Sequence, residues 1–372
     1  MNHPIRRTIV ALVAASLAAG GGAAEERRHR DAGEMPTEVT SASVRAADRG
    51  LDWLASRQNA DGSWFCDIGF KLNETYEVTT SIAIQEERGG GHVGVTALAG
   101  MAFLSGGHLP GRGRHGRTVD KALKYVLDCV REDGYITDNE TRMYSHAFAT
   151  LFLAEIYGMT RRKDVKAQLQ KAVDLVVQSQ NDKGSWRYLP FAQDSDMSIT
   201  VCQVMALRAA RNGGIRVPRS TIDRAIRYVK GSAITSGRYK GGFKYQERPI
   251  YQTRSSYSLT AAGIVTLYSA GVYDDESIKK GLEFLKDDYS NVASPTYRNH
   301  YFFFYGNYYA VQAMYIAGGA HWEWYFPRVR EDLIESQQAS GAWVDNVGEA
   351  FATSMACIIL QIPYNFLPIF QR

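Results

Sequence analysis

Two kinds of apolar segment alternate along this chain. In the first kind, apolar residues recur at helical spacing on one face, as Ala47, Leu51 and Leu54 do within residues 44–57, and charged residues take the other face. In the second kind, such as residues 93–104, almost every position is apolar or small. A helix that is apolar on all sides must be buried on all sides. The pattern therefore predicts amphipathic helices that cover fully buried ones.

This alternation occurs six times. Amphipathic helices are predicted to begin near Val44, Val119, Lys166, Ser220, Glu276 and Arg328, and their apolar partners near Val93, Tyr144, Asp196, Ser256, Tyr305 and Glu349. The apolar starts are about 45 to 60 residues apart, a period typical of helical-hairpin arrays. An open array would expose the apolar helices on its concave face. We therefore predict an all-α, closed ring of six hairpins, an (α/α)6 toroid.

Three turns after amphipathic helices share the spacing QxxxGxW, at residues 58–64, 180–186 and 337–343. We expect the glycine to end the helix in a left-handed conformation and the tryptophan to pack back over it. The glutamine is expected to bond to free backbone groups of the neighbouring repeat. The repeats that end near Gly134, Gly242 and Asp288 carry degenerate forms.

These turns resemble the QW repeats of squalene and oxidosqualene cyclases and the related repeats of protein prenyltransferase β subunits. The resemblance covers nearly all of residues 44–372 and implies the α/α toroid of the terpenoid cyclase and prenyltransferase superfamily. In residues 194–198, Asp-Ser-Asp-Met-Ser is similar to the DxDD motif of class II terpene cyclases. Asp196 then matches the proton donor and Asp194 the first acid, while Met197 replaces the third. Asp196 also suits the N-cap of the following helix, and both roles stay open.

The zinc site of the prenyltransferase β subunits is not expected in this chain. Residues 254–257, Arg-Ser-Ser-Tyr, stand where the β subunits carry an Asp-x-Cys-Tyr with two zinc ligands. Both ligands are missing, and no other Cys and His cluster replaces them. We therefore expect no metal, no other cofactor and no zinc-dependent prenyl transfer.

Ligands of such rings enter near the N-terminal ends of the inner helices. Aromatic side chains line an apolar cavity there or simply fill it, and ring faces can stabilise a carbocation. Arg254 would face the positive end of a helix dipole, which favours a bound anion or an ion pair with Asp194, Asp196 or Glu349. The candidate ligand-binding residues at these ends are Tyr144, His146, Arg254, Tyr257, Tyr305, Tyr308 and Phe351.

The first residues predict export. Arg6 and Arg7 precede an apolar run over residues 9–19, and small residues precede a cleavage point after Ala24. The run is too short for a transmembrane anchor. We expect residues 1–24 to be a signal peptide, residues 25–43 a flexible lead-in, and residues 44–372 a single toroid domain in the periplasm or outside the cell. The formal charge of +4 falls to +2 after cleavage, which argues against a nucleic-acid partner.

The leading functional hypothesis is an exported cyclase-like repeat protein whose barrel binds an isoprenoid or other apolar ligand. If it is an enzyme, the expected activity is a cyclase-like isomerisation or lyase reaction. A triterpene would need a partner barrel or a homodimer, because this chain has room for only one barrel. The alternatives are a polysaccharide hydrolase or lyase with an acid pair among Asp194, Asp196 and Glu349, and a non-catalytic interaction scaffold.

Overall fold

The computed structural model describes residues 39–66, 90–246, 255–294 and 302–371. The predicted signal peptide, nearly all of the lead-in and Arg254 lie outside these residues. From Thr40 onward the chain forms one compact unit. The described residues form twelve α-helices: α1 Ser41–Ser56, α2 Val93–Ser105, α3 Gly116–Asp128, α4 Met143–Thr160, α5 Lys163–Gln178, α6 Met197–Asn212, α7 Arg219–Gly231, α8 Tyr257–Ser269, α9 Glu276–Val292, α10 Phe302–Ala317, α11 Gly319–Ser336 and α12 Glu349–Gln361.

The even-numbered helices form a closed inner ring. Each packs against the next, from α2 through α12, and α12 packs against α2. The odd-numbered helices lie outside, each against inner helices. Within the described ranges, β structure is confined to isolated bridges. The predicted α/α toroid is therefore confirmed.

Side-chain pattern accounts for the two layers. Every residue of α2 is buried, because small and apolar residues cover all of its sides. In α3, by contrast, burial follows a stripe that includes Val119, Leu123 and Val126, and charged residues occupy the solvent side. In the part of the chain that the structure describes, no helix is both long and apolar enough to cross a membrane.

Most helices begin within a few residues of their predicted starts, but α11 does not. It begins at Gly319 rather than near Arg328, and Pro327 lies in its interior. A proline usually interrupts a helix because it lacks an N–H and crowds the preceding turn. Here Trp322 and Phe326 are buried, so the helical turns before Pro327 have a side that faces the core.

Each of the three QxxxGxW turns joins its outer helix to the next outer helix of the ring by hydrogen bonds. In the second turn, Gln180 Nε2 donates to the carbonyl oxygens of Gly184 at 3.0 Å and Thr221 at 2.9 Å, and Thr221 belongs to α7. Trp186 Nε1 donates to the carbonyl oxygen of Val176 in α5 at 2.8 Å. The first and third turns repeat these bonds, with donors Gln58, Trp64, Gln337 and Trp343. The expected glutamine bonds to the neighbouring repeat are present.

The turn glycine does not end the outer helix as was expected, since α5 ends at Gln178, six residues before Gly184. It is instead held against the backbone of the next outer helix. Gly184 has φ +85°, and a Cβ there would lie 2.4 Å from the carbonyl oxygen of Arg224. Two degenerate repeats keep this approach, since Gly134 and Gly241 also have positive φ. A Cβ at either position would come within 2.8 Å of a carbonyl oxygen. The helix-to-helix contact thus survives where the tryptophan or glutamine is absent.

The chain end closes the ring at the C-terminal ends of the inner helices. Gln361 Nε2 donates to Ala102 O at 3.0 Å and Ser105 Oγ at 2.9 Å, joining α12 to α2. A short 3-10 segment, Pro368–Phe370, then packs on α4 and α6. Residues 355–370 thus begin in the last inner helix and end as a tail that packs on the ring.

Candidate functional site

The N-terminal ends of the inner helices meet at one end of the ring, which we call the mouth. Tyr144, near the start of α4, donates through Oη to Ser198 Oγ at 2.6 Å, and Ser198 is near the start of α6. Tyr305, near the start of α10, donates to the carbonyl oxygen of the same serine at 2.9 Å. The structure therefore brings Tyr144 and Tyr305 together at the mouth, as predicted.

Asp196 is the N-cap of α6. Its Oδ1 accepts hydrogen bonds from Ser198 N at 2.8 Å and Ser198 Oγ at 2.5 Å, and its Oδ2 accepts from Arg187 Nη1 at 2.8 Å. The carboxyl group is completely buried. Burial raises its pKa, while the bonds from Ser198 and the charge of Arg187 act in the opposite direction. The capping role is confirmed, and Arg187 is the charge partner of this carboxylate.

A second Asp-x-Ser cap, at the start of α9, isolates the effect of burial. Asp275 accepts from Ser277 N at 3.0 Å and Ser277 Oγ at 2.5 Å and forms an ion pair with Lys230 at 2.7 Å. Its side chain is 20% exposed, against 0% for Asp196. Although burial acts to raise it, the bonds from Lys230 and Ser277 bring the pKa of Asp275 down to about 2. The same local chemistry therefore gives opposite pKa shifts, because Asp196 is fully enclosed.

The predicted acid pair is not assembled around Asp196. Asp194 lies on an exposed part of the preceding loop, where its carbonyl oxygen accepts from Asn181 Nδ2 at 2.8 Å. Glu349, at the start of α12, is also exposed. Arg187 occupies the position beside Asp196 that a second carboxylate would need in order to hold it protonated.

His146 and Tyr257 face the outer layer rather than the mouth. His146 Nδ1 accepts from Ile136 N at 3.0 Å, and Nε2 lies 3.3 Å from the carbonyl oxygen of Ala172 in α5. Burial lowers the pKa of His146 to about 4, so the imidazole is neutral. Two residues along a helix correspond to a rotation of about 200°, which turns His146 away from the side that carries Tyr144.

Tyr257 belongs to a buried hydrogen-bond group between α8, α10 and α11. Its Oη donates to Asn307 Oδ1 at 3.1 Å, and Tyr325 donates to the same oxygen at 2.8 Å. Its ring also contacts Tyr289 of α9. A ligand at the mouth is therefore not expected to touch His146 or Tyr257, although both belong to the predicted set.

Below the mouth, aromatic side chains pack on one another. The ring centroids of Tyr308 and Tyr309 are 4.9 Å apart, and that of Phe148 is 6.1 Å from Tyr308. All three are buried, and Cys202 Sγ lies 3.0 Å from Tyr309 Oη. Phe351 is also buried, within α12. The predicted aromatic lining thus fills the centre, and the open part of the site is the mouth itself.

Two clefts of about 450 and 480 Å³ lie away from the mouth, on the outer surface. The first is lined by charged residues that include Lys280 and Asp287, and the second by residues that include Asp120 and Lys124. Neither has the apolar lining that an isoprenoid ligand would need. Among the described residues there is also no group of three His, Cys, Asp or Glu side chains able to hold a metal ion.

Three residues of the mouth were not predicted from the sequence: Arg187, Tyr188 and Tyr245. Tyr188 Oη and Tyr245 Oη are 2.7 Å apart, and Arg187 Nη1 donates to Tyr245 Oη at 3.2 Å. The guanidinium carbon of Arg187 lies 4.3 Å from the ring centroid of Tyr188. Tyr144 also contacts the ring of Tyr188. These side chains extend the tyrosine lining from α4 and α10 to the loops.

A signal for these residues was present in the turn spacing. Tyr188 and Tyr245 each stand two residues after the buried aromatic residue of a turn, Trp186 or Phe243. At this position the carbonyl oxygen accepts from the first residue of the preceding inner helix, at 3.0 Å for Tyr188 and 3.1 Å for Tyr245. The turn therefore fixes the following loop against the mouth.

Exposed apolar side chains are also found at this end of the ring. Leu189 and Phe191 lie in the loop that precedes α6 and are 51% and 56% exposed. Phe302, at the start of α10, and Val344, in the loop before α12, are exposed as well. Leu189 comes directly after Tyr188 and Phe191 two residues later, so exposed apolar side chains lie in the same loop as a tyrosine of the mouth.

Comparison with known proteins shows the fold alone. No family model and no curated protein matches the chain. Among solved structures, the type II terpene cyclase MstE from Scytonema is similar over 89% of this chain and 100% of its own, with a TM-score of 0.58 and 13% identity. An α-amylase from Clostridium perfringens is similar over 86% of this chain and 97% of its own, with a TM-score of 0.59 and 9% identity.

A third similar structure is the α-1,6-mannanase GH76A from Salegentibacter sp., over 86% of this chain and 98% of its own, with a TM-score of 0.56 and 9% identity. The neighbours thus include both a terpene cyclase and glycoside-acting enzymes. The α/α toroid is common to them, and this fold is what the comparison shows for the present chain. Function must be argued from the mouth.

Proposed function

We propose that this protein binds an isoprenoid-like or other apolar small molecule at the mouth of its ring. The observation that carries the proposal is the partly buried tyrosine lining, Tyr144, Tyr188, Tyr245 and Tyr305, together with exposed Leu189 and Phe191 in the loop that follows Tyr188. Tyrosine offers an apolar face and a polar tip, and connected apolar surface on a rigid scaffold is typical of a ligand site.

Binding explains the mouth better than cyclisation does. One of the MstE structures holds geranylgeranyl dihydroxybenzoate as substrate, so this fold can accommodate an isoprenoid chain. In the present chain, however, Asp196 caps α6 and is paired with Arg187, whereas alkene protonation needs an unpaired, strongly acidic carboxyl group. We therefore assign to Asp196 the roles of fixing α6 and holding Arg187.

The glycoside-acting alternative lacks its acid pair. Such enzymes place two carboxyl groups about 5 to 9.5 Å apart on either side of the bond that is cleaved. Asp194 is exposed on its loop, Glu349 is exposed at the start of α12, and Asp196 is enclosed in an ion pair. A second buried carboxyl group, Asp345, belongs to the last repeat, and burial raises its pKa to about 6. It stands three repeats away from Asp196 around the ring.

We further propose that the protein binds its ligand after export. The support is the charged and apolar pattern of residues 1–24, which is typical of a signal peptide. Fractionation of cells that make the full chain, with sequencing of the mature N-terminus, tests this. Recovery of an uncleaved chain from the cytoplasm alone would overturn it.

The experiment on binding uses the mature protein. Co-purified lipids are identified by mass spectrometry, and the melting temperature is measured with squalene, a polyprenol and α-1,6-mannotriose. We expect the two isoprenoids to raise the melting temperature and the sugar to leave it unchanged. If no apolar molecule is retained and neither isoprenoid has an effect, the proposal is wrong.

A matched pair of variants localises the site. Phe191 at the mouth and Tyr273 beyond the C-terminal end of α8 are both 56% exposed. Phe191→Asn should at least halve the isoprenoid-induced shift, and asparagine suits the left-handed backbone at this position, where φ is +61°. Tyr273→Asn should leave the shift unchanged. Equal effects of both substitutions would place the ligand elsewhere.

A further inference from the structure

The mouth carries positive charge that the surrounding described residues do not neutralise. Arg187 donates to Asp196 and Tyr245 through Nη1 alone, so its Nε and Nη2 have no acceptor among the described residues. Arg142, the N-cap residue of α4, forms no side-chain hydrogen bond or ion pair with the described residues, and its Nε is buried. Of these two guanidinium groups, only that of Arg187 is paired with a carboxylate of the described residues, that of Asp196.

Both guanidinium groups lie against the same ring. The Cζ atom of Arg187 is 4.3 Å from the ring centroid of Tyr188, and that of Arg142 is 5.7 Å from it. Asp196 holds Arg187 on one side only, whereas Arg142 has no acid partner among the described residues and sits at the N-terminus of a helix, where the helix dipole disfavours a cation. A buried donor without an acceptor is costly, and a bound anion would remove that cost.

We infer that Arg142 and Arg187 bind the oxyanion head, a carboxylate or a phosphate, of an amphiphilic ligand. This inference rests on the function proposed above and adds the chemistry of the head group. The guanidinium fork matches the geometry of such anions. Leu189 and Phe191 follow Tyr188 directly in the chain, so an apolar tail has exposed apolar surface beside the head-group site.

The test compares ligands that share a tail but differ in charge. Binding of dodecanoate, dodecanol, acetate and inorganic phosphate to the mature protein is measured by isothermal titration calorimetry. We expect dodecanoate to bind at least 10-fold more tightly than dodecanol, because it adds charge-assisted hydrogen bonds. We expect acetate and phosphate, which lack the tail, to bind more weakly than dodecanoate.

Variants at Arg142 test the assignment without disturbing the fold, since this side chain bonds to no described protein group. Arg142→Gln should remove the preference for dodecanoate over dodecanol, and Arg142→Lys should keep part of it. The matched control is Arg328→Gln, because Arg328 lies 4.7 Å from the ring centroid of Trp324 on outer helix α11. This control should bind both ligands like the parent.

The outcomes separate the inference from the function on which it rests. If dodecanoate and dodecanol bind equally and Arg142→Gln changes neither, the head-group assignment is wrong while apolar binding stands. If phosphate or acetate binds as tightly as dodecanoate and depends on Arg142, the anion site stands and its ligand is a soluble anion. If none of the four compounds binds, the head-group assignment is wrong. If squalene and polyprenol also fail to bind, the proposed function is wrong as well.

Discussion

Replacing Gly184 with alanine tests whether the turn glycines join neighbouring outer helices. Gly184 has φ +85°, and an added Cβ would lie 2.4 Å from the carbonyl oxygen of Arg224 in α7, where an ordinary contact begins at 3.4 Å. The helix would therefore have to move by about 1 Å. That movement stretches the bond from Gln180 Nε2 to Thr221 O, 2.9 Å, and the bond from Arg224 Nε to Gln180 Oε1, 2.7 Å.

The expected loss can be divided into two parts. A left-handed backbone costs a residue with a Cβ about 1–2 kcal/mol, of which roughly 0.4–1 kcal/mol is offset by the lower entropy of the unfolded chain. Overpacking adds about 1–3 kcal/mol, and weakening two buried hydrogen bonds adds about 1 kcal/mol each. Gly184→Ala should therefore lower the free energy of unfolding by about 3–7 kcal/mol.

Gly214 provides the matched control. It has φ +90°, and an added Cβ would meet no atom within 4 Å. Gly214→Ala bears the backbone cost alone and should lose only about 1 kcal/mol. Urea unfolding followed by circular dichroism measures both variants, with the slope of the transition checked for constancy. Equal losses in the two variants would refute the role of the close approach to α7.

Three further changes are expected to act through single named interactions. Asp196→Ala removes a buried ion pair and a helix cap and should lower the free energy of unfolding by about 3–5 kcal/mol. Asp275→Ala, at the partly exposed counterpart, should lower it by about 1 kcal/mol in the same urea assay. Similar losses in the two variants would contradict the assigned effect of burial. Burial raises the pKa of Glu155 to about 8, so the folded state loses stability as the pH rises from about 4.5 to 8. Glu155→Gln should therefore be more stable than the parent by about 5 kcal/mol at pH 9 and equal to it near pH 4. A constant difference across this range would rule out the buried carboxyl as its source. Trp186→Phe leaves a buried carbonyl oxygen of α5 without its donor and should cost about 1–3 kcal/mol, and an unchanged urea midpoint would show that another group replaces the indole.

The ring could be predicted because its causes are local. Periodic apolar residues distinguish outer from inner helices, and each QxxxGxW turn follows an outer helix. The same reasoning failed at α11, where Pro327 stands inside the helix and the buried side chains of the preceding turns come from tertiary packing. Local preference set the number of helices, and contacts between them adjusted one boundary.

The mouth could be predicted only in part. The N-cap role of Asp196 follows from its own segment and is confirmed. Tyr144 and Tyr305 were correctly placed at the mouth, but His146 and Tyr257 were not, since the direction of each side chain depends on the rotation of its helix within the ring. Sequence spacing alone does not define that rotation for a helix that is apolar on every side.

The order of the helices, the turns and the caps thus follows from the linear sequence, because each depends on residues within one or two helical turns. The chemistry of the mouth was decided by the folded ring. Asp196 meets Arg187 instead of Asp194, and Tyr245 reaches Tyr188 from the next repeat, because closure brings loops of successive repeats together. The unneutralised charge of Arg142 likewise becomes visible only when its neighbours in space, rather than in sequence, are known.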